Sequence, residues 1–273
     1  MPSLNRIGDD LSFATAIIDQ VDALTLPRFQ AQDFTVSTKP DNTEVTEIDI
    51  AAEQMIRSML GRSRSRDAIL GEEEGETGTA ARRWIIDPID GTRNFVRGVP
   101  VWATLLALEE EGEIVMGIVS APALHRRWWA GKGLGAFTGR NWTNAKRLNV
   151  SQVARVEDAS LSYSSMSGWA ERGQLRGFLR LAEECWRNRA YGDFWSYMLL
   201  AEGAVDIACE PELEVYDMAA LVPIVTEAGG TFTSVDGEPG VRGGNAFATN
   251  GLLHEEALAL LHSVSDGEGQ AQA

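Results

Sequence analysis

At 273 residues, with 44% hydrophobic and 23% charged residues, the chain is long enough to bury a sizeable core, as one large domain or two smaller lobes. Its 24 Lys and Arg against 40 Asp and Glu leave a formal charge of -16, which opposes nonspecific attraction to nucleic acid or to an anionic membrane, so neither is expected as a partner. Cys185 and Cys209 are too few for a disulfide framework, the start Met1-Pro2-Ser3-Leu4-Asn5 lacks the parts of a signal peptide, and no apolar run approaches the roughly 18 residues of a membrane span, which makes a reducing cytoplasm the expected compartment.

In chain order, Leu11, Ala14, Ile17, Ile18, Val21 and Leu24 recur at helical spacing behind Asp9-Asp10, which predicts an amphipathic helix capped by those acids and kinked or ended at Pro27. Thr38-Lys39-Pro40-Asp41-Asn42-Thr43 reads as a loop. Thr46-Glu47-Ile48-Asp49 then has capping-box spacing, so a helix continues through Ala51 to Leu60 with Asp49 in its first turn. Ala68 to Leu70 and Trp84 to Ile86 are short apolar runs ending in acids, and Val101 to Leu108 with Ile114 to Ser120 read as two strands joined around Glu111-Gly112. The Gly-rich stretch from Gly131 to Asn149 marks a boundary between an N-terminal lobe, 1–145, and a C-terminal lobe, 146–262. Beyond it, Gln174 to Trp186 and Asp193 to Gly203 are helical, Val205 to Cys209 is a strand, and Asp217 opens a helix stopped by Gly229-Gly230. The tail, 263–273, has nothing to bury and is expected to be disordered.

The chemistry concentrates in Trp84-Ile85-Ile86-Asp87-Pro88-Ile89-Asp90-Gly91-Thr92-Arg93-Asn94-Phe95, where an apolar strand delivers two carboxylates and then a Gly-Thr pair. Asp87 and Asp90, held apart by a rigid Pro88-Ile89 spacer, are hard ligands that share one divalent metal or hold two side by side. Gly91 leaves room for a phosphate to approach the backbone, and a helical turn begun at Thr92 points its amide there. Gly71-Glu72-Glu73-Glu74 and Asp217 supply further acids at element ends, although a Glu run is ordinarily a solvated loop and Asp an ordinary helix cap. The haloacid-dehalogenase pattern Asp-x-Asp-x-Thr does not fit, because Asp87-x-x-Asp90-Gly91-Thr92 is a residue longer. Neither cysteine has the flanking His and Arg of a cysteine phosphatase, and His125, His254 and His262 lack paired spacing for zinc.

Together, Gly71-Glu72-Glu73, the string Asp87 to Phe95, and Asp217-Met218-Ala219-Ala220 followed by Thr226-Glu227-Ala228-Gly229-Gly230 resemble the inositol-monophosphatase-like superfamily of magnesium-dependent phosphatases. The resemblance covers nearly the whole chain and implies an α/β fold, a layered αβαβα sandwich, as a homodimer. Val96 to Ala103, Arg126 to Ala130, Ser164 to Trp169, and Tyr191-Gly192-Asp193-Phe194 running on to Ala208 are most similar to the histidinol-phosphate phosphatases of actinobacterial type.

Carried over position by position, the resemblance makes Glu72, Asp87 and the Ile89 carbonyl ligands of one metal and Asp87, Asp90 and Asp217 ligands of a second. It implies two or three Mg2+ per site, with Mn2+ as a substitute. Gly91 and Thr92 correspond to the phosphate-contacting backbone, Asp49 to the acid that pairs with the Thr hydroxyl, and Glu73 to an acid that helps orient water. Asp193 and Glu210 fall beside the substrate pocket, where a carboxylate suits the ammonium of histidinol; their bland readings are a helix cap and a solvated loop acid. Tyr216, where the family often has Trp, and Glu74 depart from the family pattern. The expected reaction is hydrolysis of L-histidinol phosphate, a step of histidine biosynthesis, by metal-activated water without a phospho-enzyme. The alternatives are inositol 1-phosphate or another small phosphate monoester. A non-catalytic regulator is disfavoured because Asp49, Thr92 and every metal carboxylate are present.

Overall fold

The computed structural model describes residues 4–40 and 42–263, so the tail beyond Ser263 lies outside the described residues. Helix α1 (Leu4–Ala31) buries Ile7, Leu11, Ala14, Ile17, Ile18 and Val21 as one stripe. It starts before Asp9-Asp10, so neither acid caps it. Asp10 is instead buried inside the helix, where Arg64 approaches to 3.1 Å and Arg82 to 2.8 Å. Nor does Pro27 end α1, because the turn beyond it is anchored by Phe29, whose ring lies 5.4 Å from both Phe95 and Trp102.

A hairpin follows, β1 (Val36–Thr38) and β2 (Glu44–Thr46), then α2 (Glu47–Ser63), whose capping box pairs Thr46 with Asp49 as expected. Strands β3 (Ala68–Gly71), β4 (Gly75–Thr77) and β5 (Arg82–Asp90) precede a short helix α3 (Thr92–Val96). Next come β6 (Ala103–Glu110), β7 (Glu113–Ala121), β8 (Arg126–Gly131), β9 (Gly135–Thr138) and β10 (Lys146–Arg147). Among the described residues these form an eight-stranded sheet in the order β10-β9-β8-β7-β6-β5-β3-β4. The Gly-rich stretch is therefore not a bare linker, since β9 and β10 within it extend the first sheet to Arg147.

The second half comprises β11 (Ser160–Ser162), α4 (Ser167–Glu171), α5 (Leu175–Glu184), β12 (Arg187–Arg189), α6 (Asp193–Ala201) and β13 (Ile207–Glu210). Helices α7 (Val215–Ala219) and α8 (Leu221–Glu227), strands β14 (Thr231–Thr233) and β15 (Ala246–Thr249), and α9 (His254–His262) complete it. The single helix expected from Asp217 to Ala228 is thus two. Pro223 has no N–H to offer the Ala219 carbonyl, and α7 ends at that residue. Asp217 does not open α7 either; it is the third residue, behind an N-cap at Glu214.

Side chains alternate across each strand and so assign the layers. Trp84, Ile86, Leu106 and Ile118 pack beneath α1 and α2, while Ile85, Leu105, Val119 and Trp128 face α6 and α8. Ala208, Ala246 and Ala248 close that middle layer from the second sheet, ordered β12-β11-β13-β15-β14, whose Ile207, Cys209 and Phe247 pack on α5 and α9. The order is helix, sheet, helix, sheet, helix, the layered α/β sandwich that the resemblance implied.

Candidate active site

In a regular strand Asp87 and Asp90, three residues apart, would point to opposite faces. The β5–β6 register shifts between them, Asp87 opposing Leu105 and Asp90 opposing Ala103, so one extra residue bulges and returns both acids to one side. Pro88, with no N–H to give the ladder, sits in that bulge, and its carbonyl accepts the Thr104 hydroxyl at 2.8 Å. From the second half, α7 brings Asp217, whose Oδ2 accepts the Glu214 N–H at 2.7 Å. One carboxylate oxygen from each of Asp87, Asp90 and Asp217 lies within 4.8 Å of the others. Burial, then Glu72 and the partner aspartates, pushes Asp87 well above the carboxylate range. Burial with Asp193 and Asp217 does the same to Asp90, and Asp217 rises to about 7, chiefly through burial.

Glu72 and Glu73 follow β3 on a turn built around a buried acid. Glu53 of α2 accepts the N–H groups of Glu73 at 2.7 Å and Glu74 at 3.0 Å and pairs with Arg57 at 2.7 Å. A Cβ at position 71 would come within 2.1 Å of the Glu53 carboxylate and displace it from this turn. Glu74 continues this turn and accepts from Gln54 at 3.0 Å. Lys39 reaches in from the β1–β2 loop to both acids, 2.7 Å from Glu72 and 2.9 Å from Glu73. Burial nevertheless lifts Glu73 to about 7, against the lowering effect of Lys39.

Asp49 is fully buried, accepting the Thr46 N–H at 2.9 Å and the Thr46 hydroxyl through Oδ2. Its Oδ1 lies 3.1 Å from the Thr92 hydroxyl, which also lies 3.0 Å from the Ile89 carbonyl. That hydroxyl has one proton for two acceptors, so its lone pairs stay open toward the cleft. Gly91 has φ of 84° and precedes α3, and a side chain there would be strained and only 3.0 Å from the Val101 carbonyl.

A cleft of about 680 Å3 opens from Asp90, Gly91 and Thr92 past Asp217 to Asp193 and Glu210. Asp193 is not a simple cap. Gly192 holds that place, and Asp193, at φ of 49°, instead accepts from Asn94 across the cleft at 2.9 Å. Glu210 is no solvated loop acid; it ends β13 at 4% exposure and accepts the Ser164 hydroxyl. Ser164 in turn accepts the Asp193 N–H at 2.7 Å, which ties the two acids together. Burial raises Glu210 to about 8 and Asp193 to about 6.

Lys39, Glu53, Asn94 and Ser164 escaped sequence reasoning. The partners that give them their roles are distant in the chain: Glu72 and Glu73 for Lys39, the Glu73 and Glu74 N–H groups for Glu53, Asp193 for Asn94, and Asp193 with Glu210 for Ser164.

The buried Asp87 Oδ1 has no hydrogen-bond partner among the described residues, and Asp87, Asp90 and Asp217 together offer hard carboxylate oxygens, which is the donor chemistry of a divalent cation.

Residues 9–266 match the Inositol monophosphatase family, which is metal-dependent. A histidinol-phosphatase of Streptomyces coelicolor is 60% identical over 93% of this chain and 97% of its own length. One from Mycobacterium tuberculosis is 56% identical over 93% and 98%. An IMPase structure from Thermotoga maritima superposes with a TM-score of 0.81 at 31% identity, over 93% of this chain and 96% of that one.

Proposed function

Because the chain belongs to the inositol monophosphatase family, we propose that it is a phosphomonoesterase that hydrolyses L-histidinol phosphate to L-histidinol and phosphate. The observation that carries the substrate is the pair of buried acids, Asp193 and Glu210, tied through Ser164 beyond the Asp87, Asp90 and Asp217 trio. A leaving group bearing an ammonium neutralises that pair, whereas inositol offers only hydroxyls. The two histidinol-phosphatases similar over nearly the whole chain support the same choice.

Glu72, Asp87, Asp90 and Asp217, with the Ile89 carbonyl, would hold Mg2+, two or three ions per site, or Mn2+ in its place. When bound, the cation supplies Lewis-acid polarisation of the phosphate and a lowered pKa for water. Asp49 fixes the Thr92 hydroxyl, whose lone pairs orient the attacking water, with Glu73 as a second acceptor close by. Gly91 and Thr92 contact the phosphate through the backbone. The water oxygen bonds to phosphorus, the ester P–O bond breaks, and a proton from water ends on the leaving oxygen. Asp193 and Glu210 hold the departing amino alcohol. A cytoplasmic location, a homodimer and two lobes belong to the same proposal, the lobe junction moved from 145 to just past Arg147 because β10 completes the first sheet; fractionation, light scattering and limited proteolysis check them.

The test is phosphate release by the purified protein from L-histidinol phosphate, inositol 1-phosphate and phosphoadenosine phosphate, each with magnesium and with chelator. Magnesium-dependent preference for L-histidinol phosphate is expected. Preference for another ester would overturn the roles of Asp193 and Glu210.

A further inference from the structure

We propose that Asn94 is a specificity-determining positioning residue, which aims the Asp193 carboxylate at the leaving group's ammonium and ties it to α3, the helix that begins at Gly91 and Thr92. The role rests on the substrate reading above and falls to a residue outside the acids themselves.

Asn94 lies within α3, and its Nδ2 donates to two acceptors, the Val101 carbonyl and Asp193 Oδ2, each at 2.9 Å. Those acceptors fix which end of the amide faces them, because only the nitrogen has protons to give. The Val101 bond holds the side chain against the segment that enters β6, and the second proton is left for Asp193. A Cβ on Gly91 would lie 3.4 Å from the same Asp193 Oδ2, so the acid reaches across the cleft to the start of α3.

Asp193 sits at φ of 49°, a left-handed conformation that persists in a non-glycine residue only where its surroundings hold it. Ser164 accepts the Asp193 N–H at 2.7 Å and Asp90 accepts the Phe194 N–H at 2.8 Å, which anchors the backbone. Asn94 anchors the side chain, since no other group among the described residues donates to that carboxylate. With Oδ2 so engaged, Oδ1 is the oxygen left for a ligand in the cleft that Asp193 lines. The neutrality of Asn94 also matters. Asp193 forms no ion pair among the described residues, and Arg93 acts on it only through space. An amide orients the acid without compensating its charge, whereas a lysine or arginine in its place would compete with the ligand's ammonium.

The experiment compares L-histidinol phosphate with its des-amino analogue, which keeps the ring and the phosphate and replaces the ammonium by hydrogen. The quantity read is the ratio of kcat/KM on the two esters, with magnesium present. Asn94→Ala should lower that ratio roughly tenfold, chiefly through a higher KM for L-histidinol phosphate, as expected for a lost hydrogen bond to a charged group. Asp193→Asn should lower it as well, and adding Asn94→Ala to that variant should lower it no further, because the two residues act as one unit. Asn94→Asp, of the same size, sets an acceptor against Asp193 and should also lose the preference, which keeps the test open if the alanine variant does not fold. A ratio left intact by the folded Asn94 variants, or one that falls by the same factor again in the Asp193→Asn background, overturns the positioning role and leaves Asn94 a tie between α3 and Val101. Equal kcat/KM on both esters for the unmodified enzyme removes Asp193 as the reader of the ammonium, and the role of Asn94 with it. Failure of the unmodified enzyme to hydrolyse L-histidinol phosphate, with inositol 1-phosphate still cleaved, overturns the substrate reading on which both depend.

Discussion

Asp87 buries a carboxylate oxygen that has no hydrogen-bond partner among the described residues, and the acids around it make its charge costly. Replacing it by Asn removes the charge and keeps the shape. Asp87→Asn should therefore melt a few degrees above the unmodified protein in chelator, gain little from magnesium, and lose at least about a hundredfold in kcat. Melting curves with and without the ion, beside phosphate release, check this; a variant that still responds fully to magnesium would remove Asp87 from the ligand set. Glu53 works differently, as a buried acceptor for two backbone N–H groups and Arg57. Glu53→Ala leaves both N–H groups without their acceptor and takes one partner from Arg57, which keeps Thr77, Gly75 and Glu74, and should cost about 2–4 kcal/mol in denaturant unfolding, with a weaker magnesium midpoint because the Glu72–Glu73 turn loosens. An unchanged midpoint would make Glu53 purely structural.

Among the elements, the bulge in β5 turns a spacing of three residues into a shared face. Thr104→Val leaves the Pro88 carbonyl without its hydroxyl partner, in a spot where Thr104 is fully buried. That should cost about 1–2 kcal/mol and shift the magnesium midpoint, whereas equal stability in denaturant would show that the bulge holds itself. The bulge also shows why some features were legible in the sequence and others were not. The capping box from Thr46 to Asp49 closes within three residues, so its pattern could be read directly. The turn at Asp87 to Asp90 was read as a strand end, because the strand's continuation depends on β6, a distant partner. Asp10 looked like a cap since Arg64 and Arg82, which explain its burial, lie far along the chain. The metal acids were legible because their motifs are dense. Lys39 was not, because a lone Lys in a loop carries no local signal, and the role of Ser164 was not, because Asp193 and Glu210, which define it, lie far along the chain.

For the molecule as a whole, the site couples folding to pH and metal. Asp217, raised from 3.8 to about 7, and Glu73, raised from 4.5 to about 7, keep protons in the folded chain that the unfolded chain has released. Between about pH 4 and pH 7 the native state thus binds more protons than the unfolded state, and stability of the metal-free protein falls as pH rises, by up to ~1.4 kcal/mol per pH unit for each such group. A divalent cation binds the deprotonated acids and displaces those protons, so its stabilisation grows over the same window. The gap in melting temperature between magnesium and chelator should accordingly be small at pH 5.5 and widen by several degrees toward pH 8. Potassium chloride at matched ionic strength controls for screening of the net charge of -16. If the gap stays constant across that range, metal binding does not displace the protons held by these acids; if potassium reproduces the widening, the effect is general screening and the clustered carboxylates are not its origin.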